Sequence, residues 1–361
     1  MAFVETLARL KRSLSPRPQT STFPHSLTIE TSYLCNLACE MCPRNMEKTP
    51  EGNMPMEIFE RLESSLGKIR SVFLAGFGEP LIHPQLPEMI DRCKAKGCYV
   101  LFATNGFLLE RQLAERLLET KIDAIAVSID AGDAQTYLPI RGRALQDFDR
   151  LIEIMRGFKE IRARSEHKPY MYWCFVMMKK NIHTLAQAVR LAAELGFDNL
   201  TAKHMESGTS YENLGEALYN TGIHPLIDEA TEQFYQQCVA DARKVAKECN
   251  ITLDVHPREY QVGHQCLNEP LRRVYVDYRG NVSKCCYLNI HDVRPYQKTR
   301  NKDNGIIGNL KDASLEAILE GEKHKAFMAA WEQGRVPESC FGCVQLERVD
   351  YHKKWPRIEG L

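Results

Sequence analysis

Between residues 27 and about 205 the chain alternates short β-rich runs with segments of helical periodicity, which narrows the possible folds more than any other feature. The strand candidates are 27–30, 71–75, 99–103, 124–129, 170–178 and 199–203, each rich in apolar or aromatic side chains, as expected of strands buried on both faces. Between them apolar residues recur at helical spacing: Ile58, Phe59, Leu62 and Leu66, then Leu86, Met89, Ile90 and Cys93, closed by Gly97. Further stripes are Leu109, Leu113 and Leu117; Phe148, Leu151, Ile152 and Met155; and Leu185, Val189, Ala192 and Leu195, ended by Gly196. Six β–α alternations predict an α/β fold in which a parallel sheet curves into a partial (β/α)6 barrel with helices outside. Active sites of such barrels lie at the carboxyl ends of the strands.

The rhythm breaks at residue 206. Polar loop sequence leads into a long helix through Phe234, Cys238, Val245 and Cys249, then a strand at 251–255. After Cys266 the texture changes again, with a hairpin formed by 274–277, the turn Tyr278-Arg279-Gly280-Asn281 and 282–285. A helix at 312–320 and the knuckle Cys340-Phe341-Gly342-Cys343 follow. The expected organisation is an N-terminal arm (1–26), a barrel core (27–205), a helical insertion or linker (206–261) and a small α+β domain (262–361).

Composition removes several function classes. Of 361 residues, 44% are hydrophobic and 26% charged, with 47 basic side chains against 47 acidic, so no global charge points to nucleic acid or a membrane surface. The first residues carry Arg9, Lys11, Arg12 and Arg17 but no long apolar run, and no later stretch is apolar enough to span a bilayer. A cytoplasmic enzyme is the expectation. Thirteen cysteines in a large chain without a secretory signal suggest metal sites over a disulfide framework. They fall into two sets, with Cys93, Cys98, Cys174, Cys238 and Cys249 scattered between.

The first set, Cys35, Cys39 and Cys42, follows directly on the first strand. Three thiolates leave open one iron of a [4Fe–4S] cluster, which ordinarily takes four cysteines. A zinc site is the alternative, but structural zinc is usually closed by four ligands, and no fourth Cys or His follows locally. His25 lies upstream without knuckle spacing.

Cys-x3-Cys-x2-Cys after the first strand of a βα barrel resembles the signature of the radical S-adenosylmethionine (SAM) superfamily, with Met41 where an aromatic residue often precedes the last cysteine. Gly76-Phe77-Gly78-Glu79-Pro80, after the second strand, is similar to the family's glycine–glutamate–proline motif, which binds the methionine amino group of the cofactor. Thr104-Asn105 ends the third strand, and Ser128 and Asp130 close the fourth; both resemble the polar strand ends that face the cofactor's methionine and ribose. Arg141 and Asn181 complete the run, and the resemblance aims them at the cofactor carboxylate and the adenosine side.

Cys266, Cys285, Cys340 and Cys343 form the second set, with Cys286 as an alternative to its neighbour because adjacent strand residues face opposite sides. Their order, with a turn between the first two and Gly308-Asn309-Leu310 before the helix, resembles the SPASM extension or its shortened twitch form. No cysteine follows Cys343, so the resemblance implies one auxiliary [4Fe–4S] cluster and two clusters per chain. A zinc ribbon has similar spacing.

The resemblance implies reductive cleavage of SAM to a 5′-deoxyadenosyl radical, hydrogen abstraction from a substrate, and an electron donor such as flavodoxin or ferredoxin. A closed auxiliary cluster suits electron acceptance, and two-electron oxidation of a sugar or aminocyclitol alcohol is the first expectation. Peptide modification or cross-linking is the second; only about 26 residues precede the first strand, where a leader-binding domain would sit. Epimerisation is the third, with Cys174 or Cys286 returning the hydrogen atom. His204, Lys203 and Glu206 are the candidates for a base, with Arg141 behind them.

Overall fold

Among the described residues ten strands build one sheet. β1 (Ser26–Ile29), β2 (Ser71–Leu74), β3 (Tyr99–Thr104), β4 (Ala124–Ser128), β5 (Tyr170–Met177) and β6 (Asn199–His204) are the six expected strands. They are followed by β7 (Thr252–Val255), β8 (Arg273–Val276), β9 (Asn281–Ser283) and β10 (Ile306–Asn309), in the order β10-β9-β8-β1-β2-β3-β4-β5-β6-β7. The computed structural model describes residues 23–42, 44, 50–142, 144–205, 228–256, 266, 270–289 and 305–340.

Two strands lengthen the parallel sheet beyond the six alternations. β7 pairs parallel with β6, so the helix and strand after residue 227 make a further β–α unit of the same sheet. On the other side β8 pairs parallel with β1, matching Ser26 with Arg273 and Ile29 with Val276. The C-terminal hairpin is thereby hydrogen-bonded to the barrel as an extra edge. Sequence periodicity cannot show such a pairing, because the partners lie some 250 positions apart and each strand is only four residues long.

The helices are α1 (Met56–Glu60), α2 (Glu63–Leu66), α3 (Leu86–Ala95), α4 (Arg111–Glu119), α5 (Ala134–Ile140), α6 (Leu145–Arg164), α7 (Leu185–Glu194), α8 (Glu229–Glu248), α9 (Leu315–Glu320) and α10 (Glu322–Glu332). Side-chain caps start several of them: Asp133 accepts from Thr136 N–H (2.8 Å), Asp228 from Thr231 N–H (2.7 Å) and Ser314 from Ala317 N–H (3.2 Å). The helix expected at 312–320 begins at this Ser314 cap, and α10 follows it directly after Gly321.

β1, β2 and β3 alternate buried with half-buried residues, where full burial on both faces was expected. Leu27, Ile29, Val72, Leu74, Val100 and Phe102 lie in the core under the helices. Residues of the other face, Thr28, Phe73, Ala103, Ser128, Val176, Lys203 and Tyr275, all line one cavity. Seven strands share one concavity only if the sheet curves around it. The core therefore lies between sheet and helices, and the barrel interior stays open for a ligand. Among the described residues no helix is long and apolar enough to cross a membrane.

Candidate active site

The loop after β1 carries the first three cysteines. Its turn is closed by Cys42 N–H donating to the Cys39 carbonyl (3.0 Å). The sulfurs collect donors: Leu37 N–H meets Cys35 Sγ at 3.4 Å, Asn105 Nδ2 lies 3.9 Å from it, and the Arg141 guanidinium reaches Cys39 Sγ at 3.6 Å. Such donors favour thiolates. Burial opposes them, raising the Cys35 thiol and pushing the Cys42 thiol up to about 11, a cost that binding a metal as thiolate would offset. Among the described residues no three Cys, His, Asp or Glu side chains converge as a single metal ion would require. Three cysteines on one short loop suit a cubane with one open iron, whereas a structural zinc site is closed by four ligands.

The polar strand ends brace this loop. Glu79 is almost fully buried, and its carboxylate accepts from Leu81 N–H (3.1 Å), the Thr104 hydroxyl (2.7 Å) and Asn105 N–H (2.7 Å). Burial still raises it to about 7 despite these donors. Asn105 in turn donates to Asn36 Oδ1 (2.7 Å), tying β3 to the cysteine loop. Asp130 is inaccessible; it accepts from Val176 N–H (2.7 Å) and from the Arg141 guanidinium, so Arg141 bridges a buried carboxylate and a cysteine sulfur. Asn181 is equally buried, and its amide bonds are internal: Nδ2 to the Asp130 and Val176 carbonyls, Oδ1 from Met178 N–H. Of the residues that the resemblance aims at a cofactor, Gly76, Phe77 and Ser128 line the cavity directly.

The motif glycines have a second duty. A Cβ on Gly76 would stand 2.3 Å from the side chain of Glu30, and one on Gly78 would stand 2.2 Å from the Ser32 carbonyl. Both positions therefore admit the chain leaving β1. Glu30, which sequence reasoning passed over, accepts from Phe77 N–H (2.9 Å) and hydrogen-bonds the Tyr275 phenol. Burial, then the nearby Asp277 charge, raises it to about 7. Its one sequence signal is a carboxylate directly after the apolar run of the first strand.

One cavity of about 410 Å³ joins the two cysteine regions. Met41 and Phe77 bound it on the barrel side, and Lys284, Cys285, Cys286 and Tyr287 on the hairpin side. Two ring contacts hold the sides together: Tyr33 stacks on Tyr278 (5.5 Å between centroids) and Phe77 meets Tyr287 edge-on (6.1 Å). Asp277 shapes the hairpin turn by accepting from Arg279 N–H (2.9 Å) and Asn281 N–H (2.8 Å), and Asn309 Nδ2 donates to Asn281 Oδ1 (2.8 Å). The Gly308-Asn309 element is thus a third strand of the same unit. Cys285 and Cys286 both face the cavity, while Cys343 lies outside the described residues. Lys203 and His204 line it too; His204 Nε2–H donates to the His256 carbonyl (3.2 Å). Glu206 lies outside the described residues.

Comparison with known proteins agrees with this geometry. Residues 29–171 match the radical SAM superfamily, and residues 266–344 match the SPASM iron–sulfur cluster-binding domain. The chain belongs to the radical SAM superfamily. Within it, this is an enzyme of the SPASM-bearing group, whose two domains bind [4Fe–4S] clusters.

The tungsten-containing aldehyde ferredoxin oxidoreductase cofactor-modifying protein of Pyrococcus furiosus is 24% identical over 336 residues, covering 91% of this chain and 89% of that one. The mycofactocin maturase MftC of Mycobacterium tuberculosis is 25% identical over 228 residues, 62% of this chain and 54% of its own. A probable GTP 3′,8-cyclase of Sulfurisphaera tokodaii is 33% identical over 179 residues, 48% of this chain and 54% of its own. The match thus spans most of the first relative and about half the length of the other two. Among solved structures, Streptococcus suis SuiB bound to the precursor peptide SuiA superposes with a TM-score of 0.61 at 15% identity, over 90% of this chain and 70% of SuiB. AdoMet-bound anSMEcpe gives 0.60 at 16%, over 90% and 88%. At such identities these likenesses show the fold.

Proposed function

We propose that this enzyme oxidatively modifies a peptide held in the cavity between the two cysteine regions, with SAM bound at the barrel strand ends. The observation that carries this reading is the single cavity whose wall includes Met41, Gly76, Phe77 and Ser128 on one side and Cys285 and Cys286 on the other. When bound, the cofactors supply one-electron cleavage of SAM at the open iron and a one-electron sink at the auxiliary cluster.

The chain's own residues do the rest. Cys35, Cys39 and Cys42 hold the first cluster and leave one position open to SAM. Glu79, Thr104 and Asn105 fix the strand ends beside it, and Arg141 keeps a positive charge against Cys39. Phe73, Ala103, Val176 and Met205 give this wall an apolar stretch, which would help keep water and stray hydrogen donors from the reacting carbon. Cys266, Cys285 or Cys286, Cys340 and Cys343 hold the auxiliary cluster. The proton lost with the second electron needs an acceptor on this wall, and Lys203 and His204 stand there.

A peptide is favoured by SuiB, whose solved structure holds its precursor peptide. The relatives lend no support to the sugar or aminocyclitol alcohol that the sequence put first. A cofactor precursor is the second reading, favoured by the Pyrococcus furiosus protein because that match extends along nearly both chains.

The test uses anaerobically reconstituted enzyme with SAM, dithionite and short peptides encoded beside the gene. The expected product is a peptide lighter by two hydrogens, with one 5′-deoxyadenosine formed per turnover. Formation of 5′-deoxyadenosine that no neighbouring peptide accelerates, with none altered in mass, would overturn the peptide reading.

A further inference from the structure

A buried hydroxyl near the cysteine trio has no hydrogen-bond partner among the described residues. Tyr137 lies on α5 with no solvent access, its ring tilted against Phe148 at 5.4 Å between centroids. Its phenol oxygen is buried as well and meets no acceptor there. By contrast, the buried hydroxyls of Thr104, Thr120 and Thr184 each donate to a carboxylate or a carbonyl, at 2.6 to 2.8 Å. Burying a hydroxyl without a bond costs free energy, so this one calls for an acceptor.

α5 carries the hydroxyl to the first thiol loop. Arg141 N–H donates to the Tyr137 carbonyl (2.9 Å), so the two residues stand one turn apart on one side of the helix. From that turn Arg141 reaches Cys39 Sγ at 3.6 Å, and the Ile140 carbonyl accepts from Glu40 N–H (3.0 Å). Burial raises the phenol well above its usual range, and the charges of Arg141, Cys39 and Asp130 then act on it in that order. The group therefore stays an O–H and can donate. Arg141 cannot accept, and Asp130 is turned to Val176 N–H and the Arg141 guanidinium. That leaves Cys39, where a bound cluster adds sulfide acceptors and negative charge.

We propose that the Tyr137 hydroxyl donates a hydrogen bond to the sulfurs of the cluster held by Cys39, and so raises that cluster's reduction potential. Hydrogen bonds to the sulfurs are one of the levers on such potentials, because they stabilise the more negative, reduced state. Tyr137 itself gives up no proton and takes no electron. The inference rests on the reading that Cys35, Cys39 and Cys42 hold the SAM-binding cluster.

The test is an EPR-monitored redox titration of the full-length reconstituted protein. The first cluster is identified as the signal that changes when SAM is added and that Cys39→Ser abolishes. Tyr137→Phe, which removes only the hydroxyl, should lower its potential by ~28 mV or more, about a threefold shift in a one-electron equilibrium. The more acidic 3-fluorotyrosine in place of Tyr137, a stronger donor of the same shape, should raise it. Any second cluster should keep its potential in both proteins.

An unmoved potential in Tyr137→Phe overturns the proposal, as does an equal shift of every cluster signal. A fall with Phe but no rise with 3-fluorotyrosine also overturns it, because packing and not hydrogen bonding would then set the potential. Loss of the first cluster from Tyr137→Phe overturns it too, since the residue would be structural. A SAM-sensitive signal that survives Cys39→Ser would instead sink the reading of the trio, and the proposal with it.

Discussion

The two cysteine regions face one cavity but are built in opposite ways. Around Cys35, Cys39 and Cys42 the buried ionisable groups are paired: Arg141 with Asp130, and Glu79 with three donors. On the hairpin side the buried amine is Lys284, whose one polar contact among the described residues is His324 Nε2 at 3.5 Å. The first region holds these groups by pairing them, whereas burial lowers the Lys284 amine to about 7. On the proposed reading the first region holds SAM and an open iron in one arrangement.

The largest test of this contrast removes a ligand. Cys35→Ser should reduce 5′-deoxyadenosine formation to background, read by chromatography, while the iron retained at the second set stays near one cubane's worth. Loss of both clusters together would show that the two regions are not separately built.

Next comes the charge bridge. Arg141→Met leaves Asp130, which has no solvent access, without its cation, and should destabilise the cluster-free protein by roughly 3–5 kcal/mol in urea unfolding. A cost below about 1 kcal/mol, the range of exposed pairs, would mean that the frame does not depend on its charges.

A third measurement uses pH. Burial raises Glu30 and Glu79 to about 7, above the ordinary 4.5, so the fold favours their protonated forms. The stability this contributes is full below about pH 4.5 and is lost as pH rises through 7, by up to about 3 kcal/mol for each group. The melting temperature of the cluster-free protein should therefore fall between pH 5 and 8. Glu30→Gln should flatten that fall by about half, and an unchanged slope would remove Glu30 from the account.

The smallest effect tests the packing of the motif. Gly76→Ala sets a Cβ 2.3 Å from Glu30 and should cost about 2 kcal/mol by overpacking. If Glu30 is what the glycine accommodates, Glu30→Ala in the same chain should recover most of that loss. A loss that persists in the double variant would assign the glycine to the cofactor alone.

Much of this was legible in the residues. The six strands 27–30 to 199–203 fall on β1 to β6 within a residue or two, because apolar runs between helical stripes follow from local patterning. The cysteine trio and Gly76–Glu79 were legible because motifs in loops keep their spacing whatever the tertiary arrangement. Glu30, Tyr275, Lys284 and His324 were not, since each owes its role to a neighbour from another part of the chain. Glu30 meets Tyr275 only because β8 joins β1, and Lys284 meets His324 only because the fold brings α10 to the hairpin. Asn181 shows the converse, a motif residue whose side-chain bonds all turn out to be internal.

The sequence by itself determined the chemistry available: three thiols on one loop, more on a hairpin, and a parallel α/β frame to carry them. Those are properties of spacing and periodicity, which the chain carries before it folds. Folding adds what spacing cannot: Met41 of the first thiol loop and the hairpin cysteines border one cavity, the glycines make room for Glu30, and Lys284 is buried against His324. These depend on strand pairing across some 250 positions and on the desolvation it brings, which no local pattern encodes.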